Sequence, residues 1–483
     1  MTLDSHTCYR ALKARDARFD GRFFVAVSST RIYCRPVCTV KPPKRENCRF
    51  YPSAAAAESG GYRPCLRCRP ELAPGNASVD ATSRLAQAAA SLLEDRTLDE
   101  DGLEAVAARL GITDRHLRRA FGAEFGVSPV EFAQTQRLLL AKRLLTDTRL
   151  PVTEVAFASG FGSLRRFNAL FKRRYRLQPS QLRRHMHNGT SASAVADVLN
   201  FELSFRPPYD WPAMSAFLGA RAIAGVESVV GGVYRRTVRA PAGREEHLGW
   251  IGVAMSPKKP ALRVTVSASL AKALPPVLSR VKALTDLACH PAEVALALGA
   301  LAKRHPGLRV PGAFDGFEVA VRAILGQQVT VAAARTVAGR FAAAFGDPLD
   351  TPFDSLNRAF PTAERVAELP YGRIARLGMP GARARTVLAL ARAVADGGLV
   401  LMPNADIEAT LEKLRALPGV GEWTAQYIAM RALAWPDAFP HTDLGVMKAL
   451  GETSPRRALA AGEAWRPWRA YAVMHLWQSL TKE

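Results

Sequence analysis

Hydrophobic and polar positions change period several times along the chain. From Met1 to about Pro74 the apolar residues come in short alternating runs, and "GRFFVAVSSTRIYC" (Gly21 to Cys34) reads as a strand entering a turn. "APGNAS" (Ala73 to Ser78) is rich in turn formers and breaks that pattern. A 3.6-residue period then holds to about His187 and predicts a helical unit, after which the small polar run "HNGTSASA" (His187 to Ala194) reads as a linker. Alternation returns between about Leu199 and Pro311, in "LNFELSF", "GGVYRRTVRA", "HLGWIGVAM" and "ALRVTVSAS", predicting strands. Beyond Phe314 the Ala- and Leu-rich text reads as helical to the end, and no fixed-period repeat stands out. These changes divide the chain into 1–76, 80–187, a linker 188–198, 199–313 and 314–483. At 483 residues it is too long for one core.

Composition narrows the class. With 48% hydrophobic and 23% charged residues the chain reads as folded rather than disordered. "MTLDSHTCYRALKARD" has no apolar signal region, and no run of about 18 apolar residues occurs, so a soluble cytoplasmic protein with no membrane partner is expected. A reducing compartment favours metal binding or catalysis over disulfides for clustered cysteines. The net charge of +23 is concentrated in runs such as "KPPKRENCR", "LRRF" and "FKRRYR". A solvated basic face is the plain alternative; Arg-rich runs inside helix patterns and beside cysteines favour a nucleic acid.

Two cysteine pairs, Cys34/Cys38 (CxxxC) and Cys65/Cys68 (CxxC), have the spacing of a tetrahedral four-thiolate zinc site. Such a site is by default a structural staple for a small domain. Basic neighbours (Arg31, Arg35, Lys41, Lys44, Arg63, Arg67 and Arg69) add a place for a phosphate, and a metal-held thiolate is a nucleophile. "DGRFFVAVSSTRIYCRPVC" with "GYRPCLRCRPE" resembles the N-terminal domain of the Ada family. The resemblance implies one Zn2+ held by Cys34, Cys38, Cys65 and Cys68, with Cys34 accepting a methyl irreversibly from DNA methylphosphotriesters. It also implies tighter DNA binding once that methyl is on. Lys41, Arg63 and Arg67 are the candidates for backbone contacts.

"LDEDGLEAVAARLGITDRHLRRAFGAEFG" reads helix, short glycine turn, helix, and "PVTEVAFASGFGSLRRFNALFKRRYRLQPSQLRR" repeats it. Gly111 and Gly160 close the first helices; Arg115, His116, Arg118 and Arg119, or Arg165, Arg166 and Asn168, mark the second as helices that enter a major groove. Helix-turn-helix pairs also occur as plain packing units. The stretch from about Thr82 to Arg184 resembles the AraC-type regulator domain, with "SPVEFAQTQRLLLAKRLL" as the joining helix. That implies promoter binding, and RNA polymerase as a partner of an activator.

In the last segment "LPGVGEWTAQYIAMRAL" is a tight turn between helices, in which Gly419 and Gly421 let a DNA phosphate approach the backbone. "FPHTDLGVMKAL" follows, with Asp443 at a helix start, where a simple cap is the alternative role. With "GAFDGFEVAVRAILGQQVTVAAARTVAGRF", "RPWRAYAVMHLW" and "RPPYDWPAMSAFLGARAIAGVESV", the chain from about Leu199 to Leu480 resembles 3-methyladenine DNA glycosylase II of the helix-hairpin-helix superfamily. The resemblance implies excision of alkylated bases with Asp443 as catalytic carboxylate. It puts Trp423, Tyr427 and Trp477 around the base, though each could be plain core. Trp423 stands where lyase relatives carry Lys, which implies a hydrolase without lyase activity. Gln328 of "LGQQVT" replaces the Leu that relatives wedge into the duplex, and Thr442 replaces an acid beside the catalytic Asp. No cysteine follows Cys289, so an iron–sulfur cluster is not expected, and the "PCHR" motif of O6-alkylguanine repair is missing.

The fold class expected is therefore multidomain α+β: a small zinc-bound α/β domain, an all-α double helix-turn-helix domain, an antiparallel sheet domain with helices, and an all-α helix-hairpin-helix glycosylase domain. The function expected is a monomeric activator and repair enzyme acting on double-stranded DNA, at damaged sites and at a promoter. The competing reading is a regulator only, with a structural zinc and a glycosylase fold reduced to DNA binding.

Overall fold

The computed structural model describes residues 4–75, 81–95, 102–187, 198–242, 245–403 and 405–480. The linker reading at 188–198 lies outside them except for Val198, as does half of the 73–78 break. Among the described residues no helix is long and apolar enough to cross a membrane.

The first unit opens with helix Ser5–Ala14, capped by Asp4, which accepts from the backbone N–H groups of His6 and Thr7. The run read as one strand is two: β1 (Phe24–Val27) and β2 (Ile32–Cys34), reversed through Arg31 at a φ of 57°. With β3 (Cys48–Tyr51) and β4 (Arg63–Pro64) they form a sheet ordered β3-β1-β2-β4, antiparallel except for the β2/β4 pair. All of β1 is buried because both faces are covered: Cys8, Leu12 and Phe23 pack on one side, Tyr33, Ala57 and Tyr62 on the other.

Seven helices follow among the described residues, ending with Pro179–His187. Gly111 and Gly160 take positive φ, 66° and 82°, just past the ends of helices Gly102–Arg109 and Val152–Ala158, where a side chain would be strained. The joining helix Pro129–Asp147 starts on a capping box between Ser128 and Glu131. It is not a solvated spacer. Lys142 and Arg143 are buried on it, Lys142 against Glu71 of the first unit at 2.6 Å and Arg143 donating to the Glu202 carbonyl at 2.6 Å.

The third unit is a five-stranded antiparallel sheet, β5 (Val198–Ser204), β6 (Glu227–Val230), β7 (Val233–Ala242), β8 (Glu245–Met255) and β9 (Ala261–Ser267), ordered β5-β9-β8-β7-β6. Its inner face (Phe201, Ile251, Val264) shares one hydrophobic cluster with Leu144, Phe167 and Phe171 of the second helix-turn-helix. The rest is helical around a large core that includes Phe341, Leu390, Ile428 and Val473. One short antiparallel pair, Asp347–Pro348 with Arg358–Ala359, interrupts the all-helical expectation. Arg322 joins this last unit to the sheet through Glu227 at 2.8 Å. Each unit thus leans on the next through buried ion pairs or shared apolar surface.

Candidate functional sites

The β2/β4 pairing brings the two cysteine pairs together. Cys34 ends β2, Cys65 follows β4, and the Cys65 N–H donates to the Tyr33 carbonyl at 3.0 Å. The four sulfurs all lie within 4.8 Å of one another, and no other such group of His, Cys, Asp or Glu occurs among the described residues. Tetrahedral zinc with bonds near 2.3 Å needs sulfurs about 3.8 Å apart, so the cage and its donor set fit that ion. The Arg35 N–H donates to Cys68 Sγ at 3.4 Å, a hydrogen bond that steadies a thiolate. As thiols the four share protons: the hydrogen bond from Cys34 lowers Cys38 to about 7 and pulls Cys65 lower still. Cys34 is 7% exposed, and Cys68 is the more open ligand.

Of the basic neighbours, Lys41, Arg67, Arg31 and Lys44 are exposed and Arg63 is half-buried. Two turn inward instead. Arg35 is buried on Asp20, and Arg69 pairs with Glu71 at 3.0 Å and Asp147 at 2.7 Å. They brace the zinc loops rather than face a phosphate.

Both second helices present their basic residues. Asp114–Phe125 is capped by Thr113, and Arg115, His116, Arg118 and Arg119 are exposed, Arg118 pairing with Asp114 at 2.8 Å. Leu164–Tyr175 is capped by Ser163, with Arg165 and Arg166 exposed and Asn168 half-buried. The opposite faces carry the aromatic core: Phe121 and Phe125 in the first, Phe167, Phe171 and Tyr175 in the second.

Helices Ile407–Ala416 and Glu422–Arg431 flank the Gly-rich turn. Gly419 has a φ of 84°, and a Cβ there would meet Thr386 Oγ1 at 2.2 Å. Gly421 faces open space at the start of the second helix. The first glycine builds the turn; the second leaves room outside it. Gln327 ties the neighbouring loop to this turn, its amide donating to the Gly419 carbonyl and to Thr424 Oγ1, each at 2.9 Å. Gln328 sits exposed at that loop's tip with a φ of 53°, followed by exposed Val329.

Asp443 does cap helix Leu444–Leu450, accepting from the Val446 N–H at 2.9 Å. It does more. The Trp423 indole donates to Oδ2 at 2.7 Å and the Trp477 indole to Oδ1 at 2.9 Å. Gly445 leaves space for this, since a Cβ there would lie 3.0 Å from Oδ1 and 3.2 Å from the Trp477 ring. Trp423 stacks on Tyr427 with centroids 5.3 Å apart, and Trp477 lies 6.4 Å from Tyr427. The three aromatic residues and the carboxylate named from the sequence therefore converge, with Asp443 half-buried at their edge. Thr442, half-buried beside it, carries no charge into the group.

Sequence reasoning missed Phe217 and two arginines. Phe217, on helix Trp211–Ala220, lies parallel to Trp477 at 6.4 Å, with Arg221 at 3.7 Å and Arg431 at 5.0 Å from its ring. Arg431 also donates to the Tyr427 hydroxyl at 2.7 Å. Burial opposes ionisation of Tyr427, but Arg431, Arg221 and Arg322 outweigh it and hold the hydroxyl below its usual range. The available signal was that Phe217 and Arg221 are one helical turn apart in "MSAFLGAR", off the face carried by Trp211, Met214 and Leu218.

Four family profiles match: the metal binding domain of Ada over residues 7–71, a helix-turn-helix domain over 106–185, the AlkA N-terminal domain over 200–315, and the HhH-GPD superfamily of base excision DNA repair proteins over 321–458. A protein of Mycobacterium tuberculosis, a probable bifunctional transcriptional activator/DNA repair enzyme AlkA, is 42% identical over 99% of this chain and 97% of its own. DNA-3-methyladenine glycosylase 2 of Escherichia coli is 36% identical over 57% of this chain and 96% of its own. The Escherichia coli bifunctional transcriptional activator/DNA repair enzyme Ada is 39% identical over 28% of this chain and 36% of its own.

Proposed function

Because the chain belongs to the family of bifunctional transcriptional activator/DNA repair enzymes of the AlkA type, we propose that it joins two repair reactions to promoter binding. It hydrolyses alkylated bases from duplex DNA with Asp443, and it takes methyl groups from phosphotriesters onto Cys34. The observation that carries the first reaction is the carboxylate of Asp443 held through both oxygens by two indoles at the edge of an aromatic cluster.

The glycosidic bond is out of reach inside stacked DNA, so the damaged nucleotide is turned out of the helix. The hairpin turn at Gly419 and Gly421 holds the backbone, and Gln328 with Val329 enters the gap left behind. Trp423, Tyr427 and Trp477 receive the base by stacking, worth about 1–3 kcal/mol for each base stacked. As the bond to C1′ lengthens, positive charge grows on the sugar and the fixed carboxylate of Asp443 stabilises it, while water completes the hydrolysis. Trp423 has no amine to form a Schiff base, so no strand cleavage follows.

At the other end Cys34, Cys38, Cys65 and Cys68 would hold zinc, which when bound keeps all four sulfurs as thiolates at neutral pH. The Cys34 sulfur attacks the methyl carbon of the triester; the S–C bond forms, the C–O bond breaks, and its electron pair stays on the phosphate as a diester anion. Lys41, Arg63 and Arg67 position the backbone. The site loses one negative charge and so binds DNA more tightly, and the helix-turn-helix pair reads a promoter for RNA polymerase.

Purified protein should release 3-methyladenine from methylated duplex, and Asp443→Asn should lose that release while keeping its fold, because Asn caps a helix as well as Asp. Full release by the variant would refute the assignment. Mass spectrometry of the Cys34 peptide after exposure to methylphosphotriester DNA should show one added methyl; an unmodified peptide would make the zinc site a staple only.

A further inference from the structure

Glu58 stands out among the buried acids. It lies at the end of helix Ala54–Ser59 with 1% exposure, and burial lifts its carboxyl to about 7. Three hydroxyls from three different elements meet it. Tyr33 of β2 and Tyr175 of helix Leu164–Tyr175 donate to Oε1 at 3.1 and 3.4 Å, and Thr135 of the joining helix donates to Oε2 at 3.4 Å. Arg174 donates to its backbone carbonyl at 2.9 Å. Tyr33 and Tyr175 are themselves buried, at 0% and 4% exposure.

Plain packing would be served better by an apolar side chain, since a buried carboxylate is costly unless fully hydrogen-bonded. What the carboxylate adds is register: it fixes three elements relative to one another. Two of these carry function. Tyr33 precedes Cys34, and its carbonyl accepts from the Cys65 N–H, so it lies between two zinc-site cysteines. Tyr175 is the last residue of the helix whose first turn presents Arg165 and Arg166.

We propose that Glu58 is a positioning residue that ties the methyl-acceptor strand to the second DNA-reading helix, so that alkylation of Cys34 is passed to residues 164–175 through the hydroxyls of Tyr33 and Tyr175. The alkylation half of this rests on the reading of Cys34 given above; the mechanical link does not. A change in the charge or backbone of Cys34 moves its neighbour Tyr33, and the shared acceptor transmits that movement to Tyr175.

The test is amide hydrogen exchange, read by mass spectrometry on the full-length zinc-loaded chain, for wild type, Tyr33→Phe, Tyr175→Phe, Glu58→Gln and the double Tyr variant. Each change is nearly isosteric. Tyr33→Phe, made in the zinc unit, is expected to speed exchange of residues 164–175 about fivefold to tenfold, as one lost buried hydrogen bond should. Residues 422–431 in the glycosylase core should not change. The double variant should depart from the product of the two single effects, because both hydroxyls act through one oxygen. Exchange of 164–175 untouched by Tyr33→Phe overturns the link, and so does equal loosening of 422–431. A second arm repeats the measurement after methylphosphotriester DNA. With one methyl confirmed on Cys34, exchange at 164–175 should shift in wild type and not in Glu58→Gln; no shift in wild type overturns the proposal. If Cys34 takes no methyl, the acceptor reading fails instead, and the Tyr33→Phe arm still decides the link.

Discussion

Trp477→Phe separates the two things that an aromatic residue beside the proposed catalytic carboxylate does. Trp477 stacks near Phe217 and Tyr427, each at 6.4 Å between centroids, and its indole N–H donates to Asp443 Oδ1 at 2.9 Å. Phenylalanine keeps most of the ring surface and removes only the donor. Asp443 then retains Trp423 on Oδ2 and the Val446 N–H on Oδ1, so it still caps its helix but is free to swing about that anchor. A hydrogen bond to a charged acceptor is worth roughly 1.5–3 kcal/mol. If that bond keeps the carboxylate aimed where charge develops, its loss slows base release by about tenfold to a hundredfold, at about 1.4 kcal/mol per factor of ten.

The assay is single-turnover release of 3-methyladenine from methylated duplex at saturating enzyme, alongside affinity for a duplex holding an abasic site. The rate should fall by that factor while affinity stays within about threefold, since stacking is retained. In an Asp443→Asn background, Trp477→Phe should add nothing, because the donor acts through the carboxylate. An unchanged or faster rate would show that the indoles restrain the carboxylate's charge instead of aiming it. An undiminished effect without Asp443 would reduce Trp477 to a packing residue.

Cys38→Ser should remove zinc, measured as metal per chain, and unfold the first unit; base release should persist, because the glycosylase core is a separate cluster around Phe341 and Ile428. Gly419→Ala should lower the melting temperature and DNA affinity together, since its Cβ meets Thr386 Oγ1 at 2.2 Å and its φ is 84°. Gly421→Ala, facing open space, should keep the melting temperature and weaken DNA binding alone. Stability should also depend on Glu58. Its carboxyl is raised in the folded chain to about 7, chiefly by burial, so its contribution is fully present below about pH 4.5 and is lost as pH rises through 7. Between pH 5 and 8 wild type should lose up to about 3 kcal/mol that Glu58→Gln does not, read by urea denaturation; parallel curves would refute the burial argument.

What was legible in the sequence is what local spacing controls. The CxxxC and CxxC pairs, the glycine turns at Gly111, Gly160 and Gly419, and the cap at Asp443 are each set by a few neighbouring residues, and each lies where its spacing placed it. Phe217 could not be found this way. It meets Trp477 from a helix some 260 positions earlier, and only the packing of the sheet unit on the helical core brings it there. The fate of charge was equally hidden. Arg35 and Arg69 sit in the same basic context as Arg67 yet point inward, because Asp20 and Asp147 supply partners from other elements, with Glu71 adding a local one to Arg69.

That misplacement of charge bears on how the chain works. Lys142 and Arg143 lie on the joining helix Pro129–Asp147 of a chain whose net charge is +23. Buried, they bind the zinc unit on one side through Glu71 and the sheet unit on the other through the Glu202 carbonyl. A buried ion pair adds little net stability but strongly penalises separation of its partners, since either charge left alone is costly. The joining helix therefore resists independent motion of the units it connects. If Lys142→Met, a swap of similar length, frees the zinc unit, exchange in residues 63–72 should quicken without loss of metal. An unaltered rate there would mean that apolar contacts, such as Leu139 against Ala57 and Tyr62, already suffice to hold the two together.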